Sequence, residues 1–97
     1  MKSAAAVSGV ATVEDPFAGS AIQFTVVPIS ASGTGTVTIK PDSTTDSGAG
    51  YEPLYDSAGA ALTVDLSAQI THTIIGKFEG VKVTSDNDAD TFYLAAG

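Results

Sequence analysis

The chain contains no cysteine, no arginine and no tryptophan, and it has a single histidine. Without cysteine there is no disulfide scaffold, no thiolate metal centre and no cysteine nucleophile. Four basic residues stand against eleven acidic ones. No stripe of lysine and arginine is available to follow a nucleic-acid backbone or an anionic membrane surface, so neither is expected as a partner. No apolar run approaches the roughly 20 residues of a membrane-spanning helix. Met1–Lys2 followed by Ala4–Val7 has the outline of a short secretory leader, but Ser8, Gly9, Thr12 and Glu14 cut its apolar stretch. A soluble chain made in the cytoplasm is expected. Helical spacing is missing too, since no window repeats an apolar residue every three to four positions over a dozen residues.

What is present suits one small domain. The 97 residues are 43% hydrophobic and 15% charged, too apolar and too weakly charged for a disordered chain. The aromatic residues are four Phe and three Tyr, so the core must be built mainly from short side chains. The net charge of −7 favours solubility and keeps free copies apart.

Apolar residues recur with a period of two. Ile22, Phe24 and Val26 share one face of the Ser20–Ile29 run, against Gln23 and Thr25. Val37 and Ile39 alternate with Thr36 and Thr38, and Leu62, Val64 and Leu66 with Thr63 and Asp65. Val81 and Val83 alternate with Lys82 and Thr84, and Phe92 and Leu94 close the chain with Tyr93 facing away. These are half-buried strands with threonine or charge towards water. Between them lie turn residues: Ser30–Gly33, Pro41–Ser43, Asp56–Gly59 as a hairpin joining the Tyr51–Tyr55 and Ala60–Leu66 runs, and Ser85–Asp90. Residues 42–50 form the longest polar stretch and are expected to be a surface loop. About eight short strands at regular spacing predict an all-β fold, a small two-sheet β-sandwich of jelly-roll or immunoglobulin-like type. Residues 1–13 are expected as an N-terminal strand or docking arm, and residues 14–97 as the sandwich.

Candidate chemistry is sparse. His72 alternates with Ile70 and Ile74, so it is expected as a partly buried strand residue, and no G-x-S-x-G elbow accompanies it. Glu14, Asp15, Glu52, Asp56 and Asp65 sit at strand ends and on solvent faces, where solvated carboxylates discourage edge-to-edge pairing. Asp86-Asn87-Asp88-Ala89-Asp90 has the alternate spacing that opens a calcium loop. Thr91 replaces the required glycine and no bidentate glutamate follows, so an acidic hairpin turn is favoured over a looser calcium or magnesium site. No catalytic site, metal site or cofactor is expected. Tyr51, Tyr55 and Tyr93, near strand ends or opposite core residues, are candidate contact residues, as are Val7 and Val10 in the first segment. The tyrosines would serve either a neighbouring subunit or a sugar-stacking platform.

Leu54-Tyr55-Asp56 with Gly59 leading into Val64-Asp65-Leu66-Ser67, and Phe78 leading into Val81-Lys82-Val83-Thr84-Ser85, resemble hairpins and strands of small virion structural proteins of tailed bacteriophages. The likeness is to capsid decoration (cement) proteins and related head or tail accessory subunits, over about the second half of the chain. It implies a non-enzymatic β-sandwich that binds the major capsid protein or another virion protein. It further implies a homo-oligomer, most often a trimer, located in the virion after synthesis in the host cytoplasm. An adhesin- or fibre-like sandwich that binds host glycans is the alternative.

Overall fold

The computed structural model describes residues 2–14, 23–40, 51–76 and 78–96. Its strands are β1 (Lys2–Ala5), β2 (Val10–Glu14), β3 (Gln23–Ser30), β4 (Thr34–Lys40), β5 (Glu52–Pro53), β6 (Thr63–Asp65), β7 (His72–Ile75), β8 (Gly80–Ser85) and β9 (Thr91–Ala96). One sheet has the order β1-β9-β3-β7. The other has the order β2-β8-β4, with β5 and β6 both on the free edge of β4. Every pairing is antiparallel. The protein is an all-β sandwich.

The pairing is nested. The first strand pairs with the last, β2 with β8, β3 with β7, and β4 with β5 and β6, while successive pairs fall in alternate sheets. A long two-stranded ribbon rolled up in this way is a jelly roll. An immunoglobulin order would place the first two strands side by side in one sheet, whereas β1 and β2 lie in different sheets. Among the described residues nine strands appear instead of about eight because one strand position is split. Pro53 and Glu52 pair with Thr38 and Ile39, and residues 63–65 pair with 34–36. Between them the Asp56–Gly59 turn projects as the expected hairpin, closed by Asp56 N–H to Ala60 O at 2.8 Å and a single bridge between Tyr55 and Ala61. The two flanking runs pair with each other near the turn, with Leu62 N–H donating to Leu54 O at 2.6 Å, and with β4 on either side of it.

Alternation places the core as the sequence predicts. Phe24, Val26, Val37, Val64, Leu66, Val81, Val83, Phe92 and Leu94 are all buried, together with Ala11, Val13, Ile74 and Ala96. Valine is the commonest residue among them, so few large side chains lie between the sheets. Phe24 and Phe78 pack with ring centroids 6.1 Å apart. Leu62 and Ile39 are half-buried at its margin. Ile22 and the 42–50 loop lie outside the described residues.

The expected strand or arm of residues 1–13, where described, together with Glu14 forms two edge strands, one in each sheet. β1 runs beside β9 from Lys2–Ala96 to Ala5–Tyr93, and β2 beside β8 from Val10–Thr84 to Glu14–Gly80. The crossing between sheets is a two-residue turn. Val7 and Val10 exchange backbone hydrogen bonds across Ser8 and Gly9, both with positive φ (52° and 76°), the geometry that matches strand twist in tight hairpins. Ala11 and Val13 from this segment complete the core.

Candidate functional site

Four connections meet at one end of the sandwich: Ser8–Gly9, residues 31–33, residues 66–71 and residues 86–90. Asp90 ties two of them together, residues 31–33 and 86–90. One carboxylate oxygen accepts from Ser32 N–H at 2.9 Å, and the other accepts from Gly33 N–H at 2.9 Å and from the Ser85 hydroxyl at 2.7 Å. These donors, the Ser85 hydroxyl first, hold the Asp90 carboxyl below the ordinary carboxylate range. Asp86 accepts from Thr34 N–H at 3.0 Å, and Asn87 donates from Nδ2 to Ser32 Oγ at 2.9 Å. The acidic run is therefore a clasp on the β3–β4 turn. Among the described residues no group of three His, Cys, Asp or Glu is placed to hold a metal ion.

The β6–β7 connection is ordered in the same way. Asp65 caps the short 3-10 turn Leu66–Ala68 by accepting from Ser67 N–H at 3.0 Å, and the Ser67 hydroxyl is the main cause that lowers the Asp65 pKa. The turn ends at Gln69, whose φ of +59° is a conformation that glycine adopts more easily. Its side chain donates from Nε2 to Ala31 O at 3.1 Å and so reaches across to the β3–β4 turn. Between these loops opens a cavity of about 290 Å³ lined by Ser30, Ala31, Ser32, Gln69, Asn87, Ala89 and Asp90.

The sequence-predicted contact residues do not gather there. Tyr93 lies on the outer face of the four-stranded sheet, 47% exposed, and Val7, beyond the end of β1, is 73% exposed. Val10 opens β2 in the other sheet and is half-buried. Tyr55 stands exposed beside the projecting hairpin. Tyr51 is half-buried, with its hydroxyl donating to Glu14 Oε1 at 2.6 Å and Lys82 Nζ 4.6 Å from its ring centre. Burial first, then the Glu14 carboxylate, drive the Tyr51 pKa upward. Lys40 joins this group through Glu14 (3.9 Å) and Glu79 (3.4 Å). His72 is half-buried beside inward-facing Ile74, as expected, with Nε2 3.1 Å from the Asp65 carbonyl. Ile70 precedes the strand and is exposed, so it does not share their face.

The two outer sheet faces differ in chemistry. The five-stranded sheet carries Glu14, Lys40, Lys82 and Asp65 outward. On the four-stranded sheet one outward row reads Ser3, Ala95, Thr25 and Thr73, the next Ala5, Tyr93 and Val27, and Ile75 lies beyond. None of these side chains is charged. Ile75 is 75% exposed.

Sequence reasoning passed over Gln69, Ser32 and Ser30, because single polar residues in turns carry no spacing signal. The only available hint was the Ser/Asn/Asp enrichment of the three turns. No known protein family, curated protein or solved structure matches the chain.

Proposed function

We propose that the chain is a non-catalytic structural subunit of a tailed-bacteriophage virion, a decoration or cement protein that binds and stabilises the assembled capsid surface. The observation that carries this reading is that the described residues facing outward from the four-stranded sheet carry no charge, in a chain of net charge −7. Covering that face desolvates no charge, and it presents Tyr93 and Ile75 to a partner. The face that bears the lysines and carboxylates is left to water. The jelly-roll order is compatible with a shell component, an analogy of fold only. The sequence resemblance over residues 51–92 supports the same reading. The partner would be the major capsid protein or another virion protein, met by a homo-oligomer with trimers favoured. The site of action would be the virion, after synthesis in the host cytoplasm.

Co-sedimentation with assembled capsids of a tailed phage tests the proposal. The wild-type chain is expected to pellet with capsids, Tyr93→Asp and Ile75→Asp to stay in the supernatant, and Thr84→Asp on the other sheet to pellet normally. Failure of the wild type to pellet, or pelleting of all three variants alike, would overturn it. The glycan-binding alternative would need its three tyrosines on one platform, whereas Tyr93 lies on the four-stranded sheet and Tyr51 and Tyr55 flank β5 of the other.

A further inference from the structure

The loop-end cavity has a lining that selects among ligand classes. A cation would need several carboxylate oxygens, but Asp90 is the one carboxylate among the lining residues and already accepts from Ser32 N–H, Gly33 N–H and the Ser85 hydroxyl. An anion would need a positive charge, and no lysine lines the cavity. Lys40 lies at the far end of β4 from Gly33, and Lys82 is engaged over Tyr51. An apolar ligand would meet only Ala31 and Ala89 among polar neighbours. What remains is a neutral ligand rich in hydroxyl groups.

The wall can meet such a ligand. Gln69 uses one Nε2 hydrogen on Ala31 O, which leaves its Oε1 and second hydrogen side by side without a partner among the described residues. The Ser30 hydroxyl is likewise without one there. An amide that offers a donor and an acceptor together matches two adjacent hydroxyls, one accepting and one donating. The support behind them is rigid, since Asn87, Ser32 and Asp90 are locked to one another. Little ordering cost is left for binding. At about 290 Å³ the cavity is at the small end of the range for organic ligands, a size for one sugar ring.

We propose that this cavity binds a single neutral hexose unit, with Gln69 and Ser30 as its hydrogen-bonding residues. The site is separate from the capsid-docking face, so either proposal can fail while the other stands.

The test is a titration of the full, isotopically labelled chain with methyl glycosides of glucose, galactose, mannose and N-acetylglucosamine, followed by amide NMR shifts, with glycerol as the control polyol. At least one glycoside is expected to give saturable shifts confined to residues 30–32, 69 and 87–90, with a dissociation constant of about 1–10 mM. Glycerol is expected to give none at the same concentration. Gln69→Gly suits the left-handed backbone, so the variant should keep its melting temperature while binding weakens about tenfold or more. Ser30→Ala provides a second, independent weakening. The proposal is overturned by no saturable shift with any of the four glycosides, by shifts equal to those with glycerol, or by shifts centred elsewhere. Unchanged binding in both variants would overturn it as well.

Discussion

The Ser85 hydroxyl donates to the Asp90 carboxylate at 2.7 Å, and these two are the buried polar residues among those described. Ser85 ends β8 and Asp90 immediately precedes β9, so the contact closes the acidic turn on itself. Through its other bonds Asp90 also grips a turn more than fifty positions earlier in the chain.

That relationship makes stability depend on acid. The Asp90 pKa is lowered in the folded state from its ordinary 3.8, so its contribution is present above about pH 4 and is lost as pH falls through the lower folded value. Urea midpoints measured at pH 7 and pH 3 should drop more for the wild type than for Asp90→Asn. The variant should already be weaker at pH 7, because one carboxylate oxygen becomes a donor facing donors. Equal pH dependence in the two proteins would show that Asp90 is not the group responsible.

Gly9 and Gly59 share a positive φ, +76° and +85°, but not their surroundings. An added Cβ at Gly59 meets nothing within 4 Å, whereas at Gly9 it would lie 2.9 Å from the Asn87 carbonyl oxygen. Gly59→Ala is expected to cost about 1–2 kcal/mol from backbone strain alone. Gly9→Ala should cost clearly more, since the backbone of the acidic turn must move. Chemical denaturation of both variants separates the two effects.

The first strands are part of the core, so shortening the chain should not simply release an arm. Val13→Ala removes buried methyl groups from a residue 3% exposed and is expected to destabilise by about 2 kcal/mol. Deleting residues 1–13 removes Ala11 and Val13 and bares the edges of β8 and β9. Loss of the cooperative thermal transition is the expected result. A truncated protein that melts as sharply and as high as the full chain would refute this account.

Phe24 is fully buried in a valine-rich core. Phe24→Ala is expected to lower stability by about 3–5 kcal/mol, a large share of the ~5–15 kcal/mol of a typical domain. Phe24→Leu should recover much of that loss. Circular dichroism melts of the pair measure it.

The strands were legible because their signal is local. Alternation of Phe24 and Val26, Val64 and Leu66, or Phe92 and Leu94 with polar neighbours reports which side of each strand is wet, whatever the partner strand. The type I′-like crossing at Ser8–Gly9 was not anticipated, although glycine stands at the position with the larger φ. Ile70 was misplaced because the alternation was extended past the start of β7 into a connection. The acidic run read equally well as an ion loop or a turn. Its amide partners at Ser32, Gly33 and Thr34 are distant in sequence and invisible to spacing.

Composition and periodicity alone determined an all-β chain with alternating core residues and no cysteine chemistry, since each depends on residue identity and on neighbours one or two positions away. Strand order is another matter. An immunoglobulin sandwich and a jelly roll would ask the same inside-outside pattern of every strand. Only the tertiary structure decided between them, by pairing β1 with β9 and β2 with β8 across almost the full length of the chain. The same long-range pairing brings residues 30–32, 69 and 87–90 around one cavity and, among the described residues, sets no charged side chain on the outer face of the four-stranded sheet.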